Sequence, residues 1–148
     1  MPTVVDMIEN LSAFDLKREV QALFVQNEKH IITLNQAQML KGKKRNNEGI
    51  GEYLSDNYAA YKFSFISSEA GEGNVDLKLS GDFYKGLEMK LSGENIDIKS
   101  SDFKSSKLES KYGSDIFGLT SKNWQIFSTE VLMPDFFLAM NKKTGLRP

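Results

Sequence analysis

Cysteine is absent from the 148 residues, and histidine occurs once, as His30. Without cysteine there is no disulfide, no thiolate metal site and no cysteine nucleophile. A histidine-based metal site would need carboxylate help, and neither H-x-x-x-H nor H-x-x-E spacing occurs. No G-x-S-x-G elbow, G-x-x-x-x-G-K-[ST] loop or D-x-[DN]-x-[DN]-G calcium loop is present. Gly71-Glu72-Gly73 lacks the third glycine of a dinucleotide loop. The nearest acidic groupings, Glu69/Glu72 and Asp76/Asp82, are what any chain with 20 acids shows, and they carry no glycosidase signal. The expectation is a protein with no catalytic residue, no cofactor and no metal, not an enzyme.

Excess charge of either sign is also missing: 19 basic against 20 acidic residues leave a net charge of −1. Nucleic-acid binding, which needs a cationic footprint, is therefore not expected, and this balance leaves room only for a local basic patch. No stretch approaches the roughly 20 apolar residues of a membrane helix. Residues 1–26 carry interspersed acids and no continuous oily run, so neither a leader nor a membrane partner is expected. Length and composition (40% hydrophobic, 26% charged) suit one domain over residues 1–148 with a real core.

What is present is a ribbon. In residues 75–100 (VDLKLSGDFYKGLEMKLSGENIDIKS), Val75, Leu77, Leu79, Phe83, Leu87, Met89 and Leu91 share one parity. Asp76, Lys78, Asp82, Glu88 and Lys90 share the other, which gives a strand pattern with one oily and one charged face. A four-residue loop, Ser92 to Asn95, would pair Leu91 with Ile96 and Met89 with Ile98, so that the oily faces coincide. Ser80-Gly81 and Lys85-Gly86 interrupt the alternation and predict a bend or bulge.

Residues 1–26 read as a helical segment. Thr3 and Asp6 form a capping-box-like pair. Val4, Val5, Met7, Ile8 and Leu11 share a face, while Leu16, Val20, Leu23 and Phe24 share a displaced one. Either one helix is wrapped by two partners, or it breaks near Ser12; Ser12 and Asp15 repeat the start signal and favour the break. On the reading of one wrapped helix, one apolar face of residues 1–26 would pack on a neighbouring subunit.

His30 to Leu34 is β-prone and suggests a short strand, with Asn35 capping a short helix through Leu40. Lys41 to Gly49 (KGKKRNNEG) reads as a solvated basic loop that could meet an acidic partner. Tyr61, Phe63 and Phe65 alternate with Lys62 and Ser64, which predicts a half-buried strand. Residues 67–74 (SSEAGEGN) form a polar loop. A short helix is expected over Ser105–Tyr112, stopped by Gly113, followed by core positions Ile116, Phe117 and Leu119. Ser121 opens a helix carrying Trp124, Phe127 and Val131, which stops or kinks at Pro134. Pro134 suits the first turn of a last helix ended by Gly145, with Lys142 and Lys143 on its dipole. Trp124, Phe127, Phe136, Phe137 and Leu138 concentrate oily matter there: a core at a kink, or a partner-docking surface. The fold class expected is α+β, with an N-terminal helix, an antiparallel sheet with a central hairpin at about 75–100, and C-terminal helices.

These residues resemble a family. Leu79-Ser80-Gly81-Asp82-Phe83 enters a hairpin that returns as Asn95-Ile96-Asp97-Ile98-Lys99-Ser100. The segment Leu108 to Gly113 and then Met133-Pro134-Asp135-Phe136-Phe137 before a terminal helix complete the order. This is similar to the virion-morphogenesis or tail-completion (neck) proteins of tailed bacteriophages. Leu34 to Gly42, Tyr58 to Lys62 and Tyr112 to Thr120 also look like neck or tail proteins of phages infecting Bacteroides-type bacteria, crAss-like phages included. The resemblance implies a structural subunit of an oligomeric ring between portal and tail, with no catalysis and no cofactor. Its partners would be copies of itself and the portal, neck or tail proteins of the virion, assembled in the host cytoplasm. On that reading the interface anchors are Val4, Ile8, Leu11, Trp124, Phe136 and Phe137. A second expectation, from a different class, is a small monomeric ligand-binding or inhibitor module using Tyr53, Tyr58 and Tyr61 around a concave sheet.

Overall fold

The hairpin forms where the alternation is strictest. A computed structural model describes residues 3–65, 69–71 and 73–145, and in it β1 (Leu87–Ser92) pairs antiparallel with β2 (Asn95–Ser100). The register places Leu91 opposite Ile96 and Met89 opposite Ile98, as the oily faces require. The loop is shorter than expected, because Ser92 itself pairs with Asn95. Only Gly93 and Glu94 turn, and Gly93 takes φ 61°. A positive φ at the first of two loop residues suits the turns whose twist matches the strands.

The fold is α+β, with helices before and after this two-stranded sheet. The chain divides into two compact units, Met1–Glu28 with Gln125–Pro148, and Lys29–Trp124.

In the first unit, α1 (Val4–Ser12) begins at Thr3, whose hydroxyl accepts from the Asp6 N–H while the Asp6 carboxylate accepts from the Thr3 N–H. The Thr3 hydroxyl also donates to the Asp6 carboxylate at 2.6 Å, and this bond, with the one from the Thr3 N–H, holds the Asp6 carboxyl below its usual range. The break near Ser12 is present. Ala13 caps α1, and α2 (Leu16–Gln26) starts afresh at Asp15, whose carboxylate accepts from the Arg18 N–H at 3.2 Å.

The last helix, α8 (Met133–Thr144), carries Pro134 in its first turn and ends at Gly145 (φ 72°), with Lys142 and Lys143 in its last turn. A wide π turn, Ser128–Leu132, precedes it. Pro134 has no N–H to give to a carbonyl one turn back, so the ladder loosens ahead of it. Phe14 meets Phe136 edge-on at 6.2 Å between ring centres, and Phe24 lies 5.5 Å from Phe127. The Asn27 amide donates to Asp135 at 3.0 Å, and Lys143 pairs with Glu19.

The second unit corrects two expected strands. His30 to Leu34 is not a strand; it lies in α3 (Glu28–Leu40), with Asn35 in the helix interior and not at its start. The reason is visible at longer range. Ile31, Asn35, Gln38 and Met39 are buried at helical spacing. Asn35 and Gln38 clamp the distant 116–123 segment. Asn35 donates to the Ile116 carbonyl (3.3 Å) and accepts from the Gly118 N–H (3.1 Å). Gln38 donates to the Gly118 carbonyl (3.1 Å) and accepts from the Thr120 N–H (2.8 Å).

Tyr61 to Phe65 is likewise helical, in α4 (Asp56–Phe65). Ser55 caps it, its hydroxyl accepting from the Tyr58 N–H, and Ala59 and Lys62 turn inward at spacing three. The expected polar loop over 67–74 lies partly outside the described residues.

The alternation also fails before β1. Residues 75–80 are irregular, and α5 is the single turn Asp82–Lys85. Asp76, assigned by parity to the solvent face, is 1% exposed, whereas Leu79 is 54% exposed. α6 (Ser105–Tyr112) stops at Gly113, and Ile116, Phe117 and Leu119 are buried, as expected. A two-stranded ribbon is marginal alone. Here Phe83 packs on Phe117 (5.9 Å), Ser100 Oγ donates to the Phe83 carbonyl (2.8 Å), and Lys99 pairs with Glu109 on α6 (2.8 Å). α7 (Ser121–Phe127) leads towards α8.

Candidate functional site

The second unit encloses a charge pair. Lys62 of α4 and Asp76 of the irregular segment form an ion pair with side chains only 3% and 1% exposed. Isolated, either charge would be costly to bury; together, and hydrogen-bonded, they are tolerated. Lys62 also donates to the Tyr53 hydroxyl at 2.6 Å, and the Lys78 N–H donates to Asp76 at 3.0 Å. The Tyr84 hydroxyl donates to the Asp76 backbone carbonyl. Burial, and next the Asp76 charge, push the phenols of Tyr53 and Tyr84 well above their ordinary range. Both stay protonated, and neither is poised as a base.

A cleft of about 400 Å³ opens beside this pair, with Lys62 in its lining. Its walls are mostly apolar: Tyr53, Tyr58, Val75, Leu77, Phe83 and Leu108. Tyr53 meets Tyr58 edge-on at 5.1 Å. Leu77 holds φ 59°, a conformation unfavourable for a side chain of this size. Lys78, Lys104 and Lys111 stand at the rim with Asp82 and Asp102. Asp82 accepts from Ser80 Oγ (2.8 Å) and Asp102 from the Lys104 N–H (2.9 Å). Lys78 and Lys111 lie over the rings of Tyr84 (6.0 Å) and Tyr112 (5.1 Å). The arrangement can bind and orient a ligand. Among the described residues no group of three or more His, Cys, Asp and Glu side chains could hold a metal. No described helix is long and apolar enough to cross a membrane.

The expected interface residues fall in different places. Val4, Ile8 and Leu11 are 72%, 62% and 51% exposed on α1, joined there by Val5. Phe136 is half-buried against Phe14, while Phe137 is exposed and meets Phe136 at 5.9 Å. Trp124 belongs to the other unit, half-buried beside Ile96, Ile98, Phe117 and Leu119. His30 is exposed on α3. In the basic loop, Arg45 pairs with Asp115 at 2.8 Å.

The aromatic set expected around a concave sheet lies instead on α4 and the preceding loop. Tyr53 and Tyr58 line the cleft, and Tyr61 sits 6.5 Å from Tyr58. Lys62 and Asp76 were hidden from the sequence, where each sat on a face read as polar. The Ser55-Asp56 start signal was the available hint that this stretch is a helix and turns Lys62 inward.

Comparison with protein-family models, with curated proteins and with solved structures gives no match.

Proposed function

We propose that this protein is a structural subunit of a tailed-phage virion, acting in the head–tail connector, neck or tail as one copy of a homo-oligomeric ring. The observation that carries the reading is the bare face of α1. Val4, Val5, Ile8 and Leu11 are each more than half exposed on a helix that is nevertheless fully capped. A helix normally buries its apolar stripe, and a contiguous exposed one marks a contact surface. A second copy suits it, because ring contacts set one face of a subunit against a different face of the next. The family resemblance of the hairpin and the late Pro134 segment supplies the setting.

The test is light scattering after size exclusion across a wide concentration range, with and without portal and neck proteins. Assembly into rings, or joining only onto those partners, is expected, and Ile8→Asp should block it while leaving the circular dichroism of the chain unchanged. A chain that stays monomeric in every mixture overturns the reading.

A further inference from the structure

The cleft beside Lys62 is lined by residues 53–112, none of them on α1, and it offers a site of its own. Its volume of about 400 Å³ falls in the range of small-molecule sites. Two leucines at its mouth, Leu54 (96% exposed) and Leu79 (54% exposed), stand in water. Lys62 of the buried pair lines it, and so does Leu77, held at positive φ.

The rim sets the sign of the ligand. Lys78, Lys104 and Lys111 are exposed, and none is in an ion pair with another described residue. The two rim acids already accept hydrogen bonds from Ser80 and from the Lys104 backbone. The buried pair is neutral as a unit. Three ammoniums against two carboxylates leave the rim with an excess of one positive charge, above walls that are mainly hydrocarbon and aromatic ring.

We infer that this cleft binds an amphipathic carboxylate, its apolar chain between Tyr58, Leu79, Phe83 and Leu108 and its anionic head among Lys78, Lys104 and Lys111. This gives the ligand-binding expectation a place and a chemistry, and it stands whether or not the chain forms rings.

The experiment is titration calorimetry on the full chain with decanoate below its aggregation concentration, set against decanol and decyltrimethylammonium. Decanoate should bind at one site per chain, decanol about tenfold more weakly, and the cation more weakly still, since each exposed ammonium contributes a fraction of a kcal/mol. The joint Lys78→Gln, Lys104→Gln, Lys111→Gln variant alters only exposed side chains. It should lose about tenfold for decanoate and nothing for decanol. Leu79→Ser should weaken both, and Ile8→Asp neither. Equal affinity for decanoate and decanol, indifference to the three glutamines, or loss of binding through Ile8→Asp would each overturn the assignment.

Discussion

Asp76 is 1% exposed and holds together three parts of the second unit. It accepts from Lys62 and from the Lys78 N–H, and its own carbonyl accepts from Tyr84. Asp76→Ala should leave a buried, unpaired ammonium and cost about 3–5 kcal/mol. The joint change Lys62→Met, Asp76→Leu should recover most of that loss, because apolar replacements of a buried pair are often neutral. Urea unfolding followed by near-ultraviolet dichroism checks both. The phenols make a second residue-level prediction. Tyr53 and Tyr84 are raised above the ordinary value of 10.0 by burial and the Asp76 charge. Unfolding above about pH 10 therefore releases protons, so the phenols' contribution to stability is constant below that pH and falls as pH rises beyond it. Tyr84→Phe should flatten part of that fall and cost about 1 kcal/mol at neutral pH through the lost hydrogen bond. Neither residue's role was visible in its local neighbourhood, because burial of Lys62 depends on Asp76, fourteen positions away.

Among the elements, those shaped by short-range rules came out as read. The β1–β2 register followed from period-two alternation on both strands. The stop between α1 and α2 followed from Asp15 repeating a cap, and the onset of α8 from Pro134. Where two periods competed, the sequence misled. Tyr61, Phe63 and Phe65 satisfy alternation, yet Ala59 and Lys62 satisfy the helical spacing that actually buries side chains. His30 to Leu34 is β-branched at three of five positions, yet Ile31, Asn35, Gln38 and Met39 supply a helical face that locks onto residues about eighty positions away. The hairpin offers an element-scale test. Gly93 at φ 61° has nothing within 4 Å of an added Cβ, so Gly93→Ala meets no neighbour. Its cost should be purely conformational, on the order of 1–2 kcal/mol in thermal or urea unfolding.

At the scale of the whole molecule, the two surfaces proposed to meet partners differ in physics. The α1 face is hydrocarbon and the cleft rim is cationic. Raising salt should separate them: sodium sulfate should strengthen self-association through α1 and weaken decanoate binding at the lysine rim. Sedimentation velocity and calorimetry in the same buffers read the two responses. If both fall together with salt, the apolar assignment of the α1 contact is wrong.

Caps, breakers and strict alternation act between residues a turn or a strand pair apart, and so the hairpin register, the division after Ser12 and the limits of α6 and α8 were already written in the order of the amino acids. The inward turn of Lys62, the helical state of 30–34 and 61–65, and the cleft itself arose only on folding. Each rests on a partner far along the chain, and only desolvation in the packed unit decides which of two locally allowed periods is buried.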